Sequence, residues 1–341
     1  MAKDMKRGAT DMPPVGAISD EQVEDVLTPD QQTMAGTATA ISTSAGVPAS
    51  TAAGAEVALT LWGDVWRRLR KNRLAIIGLG IVGVLLITAV FAPLIAPYDT
   101  NDQRIDVASR CSGPCAPTLK HWMGTDQLGR DQFSRIVYGA RVSVIVGVFA
   151  VGIALALGLA LGALSGYFGG AIDALVMRIA DVFFAFPYVL AAIVLIIAIG
   201  QGVGSIVVAI GIFAWATIAR LLRASILSTK ETEYVEAARA LGANHWRIIT
   251  RHVMPNSMAP VIVYATILIG SAILTEAALS FLGIGVVPPT PAWGYMVNAG
   301  KPFLTTRPYM IIFPGIAIVF TVLGFIFLGD GLRDSMDPRL R

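Results

Sequence analysis

Few residues in this chain have types and spacings that could do chemistry. Glu276 stands inside a long apolar stretch, where a carboxylate is costly and marks a functional position by default. It could line a solute path, or cap a neighbouring helix while buried in protein. Cys111 and Cys115 flank Ser-Gly-Pro, a spacing that can close a small disulfide or leave two unbridged thiols. Two cysteines alone do not make a metal site. His121, His245 and His252 fall in polar segments without zinc-ligand spacing and read as surface or interface residues. Gly300-Lys301 lacks the upstream glycine of a phosphate-binding loop and runs into Pro302. The apolar segments contain no histidine, and no nucleophile–base or metal pair falls within them. These residues point away from an enzyme, and no catalytic group, metal or cofactor is expected on this chain.

The most informative stretch is residues 230–255, KETEYVEAARALGANHWRIITRHVMP. Tyr234, Ala237, Ala238 and Leu241 fall at i, i+3, i+4, i+7, one apolar stripe on a short helix. Glu231, Glu233 and Glu236 come early and Arg239 late, which suits the helix dipole. Gly242 supplies a stop that tolerates left-handed backbone, and Asn244 is a good N-cap for a second helix through His252. Pro255 closes the unit. A helix–turn–helix of this size makes a poor core and a good docking surface.

The elements that must position these residues follow from composition. Of 341 residues, 55% are hydrophobic and 14% charged, too few polar residues to cover a soluble fold, where roughly 25% are charged. The net charge of +3 is small and dispersed, which excludes a nucleic-acid partner. A spanning helix needs about 20 apolar residues. Six segments qualify: 74 to about 96, 142–167, 172–199, 206–227, 259–282 and 310–328. The third carries Asp173, Arg178 and Asp181 in its first half, with Arg178 and Asp181 placed to pair, and a kink is expected at Pro187. Glycines 158, 162 and 166, with Ala154, form a small-residue row for close packing, either within the chain or against a second membrane subunit.

The chain thus divides into a polar, disordered tail at 1–60, a first span with an external loop at 61–141, and a core domain at 142–341. Arg67, Arg68, Arg70, Lys71 and Arg73 crowd the entry to the first span and place that side in the cytoplasm, so six crossings leave both termini inside. The external loop holds five basic residues, matched by Asp99, Asp102, Asp106, Asp126 and Asp131.

Glu236, Ala237, Ala238, Gly242 and Pro255 resemble the cytoplasmic signature of permease subunits of bacterial ABC importers: Glu-Ala-Ala, three residues, Gly, and a Pro thirteen further on. His252 stands where Ile is usual and Met254 where Leu is usual, with length and bulk kept. The run from His121 to Ser143, HWMGTDQLGRDQFSRIVYGARVS, and the run from Glu276 to Gly283 resemble one of the two paired permeases of dipeptide, oligopeptide and nickel importers. The resemblance covers roughly residues 65–341 and leaves out the tail and the Cys111–Cys115 insert.

The resemblance implies an all-α integral membrane protein of the MetI-like permease fold, with six transmembrane helices and cytoplasmic coupling helices, in the inner (plasma) membrane of a bacterium. It implies import of dipeptides or oligopeptides, or else of nickel or another small solute. Its implied partners are a homologous second permease, one or two cytoplasmic ATPase subunits that use ATP and Mg, an extracytoplasmic solute-binding protein, and membrane lipid. An ion-coupled secondary transporter is the competing class, but it would put charges mid-membrane and leave residues 230–255 without a purpose.

Overall fold

A computed structural model of the chain describes residues 61–102 and 114–336. The segment 1–60, Cys111 and residues 337–341 lie outside the described residues. Everything described is helix, turn or loop, apart from one isolated bridge between Thr125 and Asp131.

The chain opens with α1 (Leu61–Leu69), which carries Arg67 and Arg68 in its last turn. Asn72 caps α2 (Arg73–Val90) by accepting from the Leu74 and Ala75 amides at 3.0 and 3.2 Å. A short α3 (Ala92–Ile95) follows, then a loop, then α4 (Gln132–Phe168). At 37 residues, roughly 55 Å, α4 begins ten residues before the expected span. Asp131 starts it early, accepting from the Ser134 amide at 2.7 Å. Next come α5 (Gly170–Ala185), α6 (Tyr188–Ile199) and α7 (Val203–Thr229). The short elements α8 (Glu233–Ala240), α9 (His245–Ile248), a π turn (Ile249–Val253) and α10 (Met254–Ser257) lead into α11 (Ala259–Phe281). The chain then forms α12 (Trp293–Gly300) and α13 (Tyr309–Met336).

Five of these helices, α2, α4, α7, α11 and α13, are long and apolar enough to cross a membrane. The third expected span is different: α5 and α6 together pass the test, but they meet at 89° rather than in a kinked continuous helix. Pro187 has no amide proton to donate, and it drives Phe186 into extended backbone (φ −100°, ψ 137°). At the start of this pair, Tyr167 lies beside His245; at its end, Gln201 donates to the Gly283 carbonyl beyond α11 at 3.0 Å. The bent pair therefore carries the chain from one end of the bundle to the other, and counted as one span it brings the crossings among the described residues to six, with the third broken.

Ties across the chain fix the two ends. Asn72 donates to Asp334 at 3.1 Å at the basic end, and Gln132 donates to the Tyr309 and Met310 carbonyls at the distal end. The central seam runs between α4 and α7. A Cβ on Gly158 would sit 2.6 Å from Ile218 Cγ2, and one on Gly162 would sit 2.7 Å from the Ala219 carbonyl oxygen. Gly211 answers from α7, where a Cβ would meet Ile153 at 2.7 Å. Of the two readings of the glycine row, packing within the chain is the one realised, because α7 already fills that face.

Candidate functional site

Residues 230–255 form a fastened element at the basic end. Val235, Ile248 and Val253 are fully buried and join Leu222 and Ile226 of α7, Ala163 and Tyr167 of α4, and Val261 of α11 in one apolar cluster. Burying such side chains contributes about 1.5–3 kcal/mol each. Polar ties add to this: Lys230 Nζ donates to the Gly166 carbonyl at 3.2 Å, Ser257 Oγ to Thr229 Oγ1 at 3.1 Å, and the Tyr167 hydroxyl meets His245 Nδ1 at 3.0 Å.

The expected stripe on α8 faces outward. Tyr234 is exposed and Leu241 is 88% exposed, while the residue that enters the core is Val235, off the stripe. Trp246, 60% exposed, extends this open surface past the turn. One end of the bundle thus presents Tyr234, Leu241 and Trp246 on a support that is anchored from behind.

The turn has a specific construction. The Ala243 amide donates to the Ala238 carbonyl at 3.1 Å and the Gly242 amide to the Arg239 carbonyl at 3.0 Å, a Schellman motif. Gly242 holds the required left-handed conformation at φ 77°, with open space where a Cβ would stand. Ala238 and Gly242 are therefore two parts of one helix stop, and Ala237 accepts from the Leu241 amide just before it. Glu236 lies in the first turn of α8, where the dipole favours a carboxylate. Asn244 caps α9 by accepting from the Trp246 amide at 3.3 Å. The expected second helix runs unbroken past His252 to Ser257, with a π turn between α9 and α10. Pro255, at the start of α10, cannot donate to the Arg251 carbonyl, and the ladder widens around that gap.

Above this element two arginines of α7 reach α5. Arg223 grips Asp173 through Nε and Nη2 at 2.5 and 2.6 Å, and Arg220 Nη2 donates to Asp181 at 2.7 Å. The expected Arg178–Asp181 pair is thereby corrected, since Arg220 on the neighbouring helix occupies Asp181.

At the distal end, the run from His121 forms a bonded cap that sequence reading missed. His121 is buried, with Nδ1 2.9 Å from Asp131 Oδ1, so it is neither a surface nor an interface residue. Asp126 accepts from Arg130 at 2.7 Å and lies 3.6 Å from Arg135, whose Nη1 donates to the Thr100 carbonyl at 2.9 Å. The matched acids and bases of the loop were the available signal. The Cys115 amide and carbonyl bond Thr125, and the carbonyl also accepts from the Tyr309 hydroxyl. The expected disulfide involves Cys111, outside the described residues.

Glu276 is sealed from solvent on α11. Its Oε1 accepts from Ser280 Oγ at 2.7 Å, and the same hydroxyl accepts from the Val286 amide at 3.0 Å, clasping the turn that follows the helix. Glu276→Gln keeps the acceptor and should leave detergent-phase melting close to wild type. Glu276→Leu strands the hydroxyl and should lower stability by about 1–3 kcal/mol. Equal melting of the two variants would show that the clasp is unimportant.

A helical bundle of six crossings, one broken, with a fastened helical element exposed at one end, defines a multi-pass membrane protein. The chain belongs to the family of binding-protein-dependent transport system inner membrane components, whose model matches residues 158–341. It is a transmembrane permease subunit of an ABC importer, related to peptide permeases. Residues 60–114 match the N-terminal transmembrane domain of oligopeptide transport permease C. The chain is 43% identical to the dipeptide transport system permease protein DppC of Alkalihalophilus pseudofirmus over 284 residues, which is 83% of this chain and 92% of that protein. It is 43% identical over 282 residues to the glutathione transport system permease protein GsiD of Escherichia coli, with the same coverage. The inward-facing MetNI methionine ABC transporter, 19% identical, aligns with a TM-score of 0.50 over 60% of this chain and 97% of that chain, and supports the fold alone.

Proposed function

We propose that this subunit carries peptides across the inner membrane of a bacterium, with both termini in the cytoplasm and a homologous second permease beside it. Peptide-type solutes are the ones named for its relatives, dipeptides and glutathione. One or two cytoplasmic ATPase subunits hold ATP and Mg, and an extracytoplasmic binding protein delivers the solute. The observation that carries the coupling role is the outward face of Tyr234, Leu241 and Trp246 on a buried mount. Glu236, Ala237, Ala238, Gly242 and Pro255 shape that face, and the ATPase seats against it. The mount touches α4, α7 and α11 together, so a displacement of the docked face biases three crossings at once.

The test is docking and sidedness. Leu241→Ser with Trp246→Ala should leave the permease in the membrane and reduce ATPase co-purification by about tenfold, as loss of central aromatic and aliphatic anchors does at other interfaces. In a background with Cys111 and Cys115 replaced by Ser, Lys71→Cys, exposed at the basic end away from the docking face, should react with an impermeant maleimide only after permeabilisation, and Leu119→Cys in intact cells. Undiminished ATPase binding would refute the docking face. Labelling of Lys71→Cys from outside would refute the orientation.

A further inference from the structure

Arg220 and Asp181 form an ion pair within membrane-crossing segments, yet their side chains are 49% and 55% exposed. Arg220 lies roughly 14 Å from the basic end of α7, at 1.5 Å per residue, and neither charge of the pair is covered by the rest of the chain. Charged groups at such depth face protein or a water-filled cavity, because hydrocarbon offers them no solvation.

A recess of about 240 Å³ opens beside the pair, between α5, α6, α7 and α11. Its polar lining consists of hydroxyls, from Tyr188, Thr217, Tyr264, Ser271 and Thr275. Thr217 is one turn from Arg220, and Phe184, which also lines the recess, lies under the guanidinium at 4.3 Å. Thr275 Oγ1 donates to the Ser271 carbonyl at 2.8 Å and Ser271 Oγ to the Ile267 carbonyl at 3.3 Å. Both hydroxyls spend their proton on their own helix and leave lone pairs free to accept from a guest. The wall of the recess is therefore uncharged and mixed, its hydroxyls set among Phe183, Phe186, Phe213 and Leu268, and the ion pair stands beside it with Arg220 over Phe184.

We propose that this recess is the stretch of aqueous solute path contributed by this subunit, and that the Arg220–Asp181 pair beside it marks it for small solutes bearing both an ammonium and a carboxylate. The proposal rests on the permease reading and deepens it. A guanidinium meets a carboxylate, and a carboxylate meets an ammonium, while the hydroxyls accept from amide protons. A balanced pair holds such a solute without favouring either net charge.

The probes are two small methanethiosulfonates, one carrying a quaternary ammonium and one a sulfonate. They are applied to the assembled transporter in membrane vesicles, with cysteine placed singly at Thr217, Thr275 or Val84 and with Cys111 and Cys115 replaced by Ser. Val84, on the exposed face of α2, serves as the lipid-facing control. Thr217→Cys and Thr275→Cys should react about tenfold faster than Val84→Cys, since the thiolate forms only in water. Arg220→Gln should raise the cation-to-anion rate ratio at Thr217→Cys by about fivefold, and Asp181→Asn should lower it by about as much. The wild-type pair with the two cysteines tests the recess even where a charge variant fails to accumulate. Reactivity at either position no greater than at Val84, in a transporter that still binds its ATPase, overturns the path and spares the permease reading. A ratio that ignores both charge changes overturns the role of the pair.

Discussion

Gly242→Val is expected to abolish most uptake while the six crossings still assemble. Gly242 sits at φ 77° with nothing within 4 Å of a built Cβ, so the cost of a side chain there is backbone strain and not collision. For a β-branched residue that strain is about 1–3 kcal/mol, enough to depopulate the Schellman turn by several-fold or more. The turn sets the angle between α8, which carries Tyr234 and Leu241, and α9, which carries Trp246. A shifted angle separates the two halves of the docking face, so ATPase co-purification and solute-stimulated hydrolysis should fall together with uptake. Gly242→Asn, which tolerates left-handed backbone, should retain most of all three. Glu236→Ala should also be mild, since it removes a first-turn carboxylate and leaves the turn alone. Full uptake by Gly242→Val would show that the turn does not transmit the motion. Its failure to reach the membrane would show instead that the turn is needed for assembly, against the expectation stated here.

The second large effect is expected at the seam of the bundle. Gly162→Val would bring a Cβ to 2.7 Å from the Ala219 carbonyl oxygen and 2.9 Å from its Cα, both backbone atoms that cannot rotate away. Only separation of α4 from α7 relieves this, and overpacking of that kind costs about 1–3 kcal/mol or more. The same separation would loosen the contacts that Ala163 and Tyr167 make beneath the coupling element. The protein should accumulate poorly and melt at lower temperature in detergent. Gly152→Val is the matched control, on the same helix with nothing within 4 Å of its Cβ. Equal behaviour of the two variants would mean that the close approach of α4 and α7 is dispensable.

The six apolar lengths, the cap at Asn244 and the stop at Gly242 were legible in the sequence because each is local. A membrane fixes the length of a crossing, and a helix end is decided by the few residues around it. Periodicity also identified a stripe on α8, but it could not say whether that stripe or Val235 would meet the core. That choice depends on what α4, α7 and α11 present to it, and they accept a β-branched side chain while leaving Tyr234 and Leu241 open. Pro187 announced a disturbance in the third crossing, but the 89° break required helices against which α5 and α6 pack separately. Asp181 had a partner at the right spacing on its own helix, yet Arg220 occupies it from α7. The glycine row at 158, 162 and 166 declared a close contact without naming its partner, and His121 gave no sign of the buried aspartate it would meet. Local sequence sets where helices begin, end and how far they reach. Which faces are buried and which charges pair was decided only when helices distant in the chain were brought within a few ångströms.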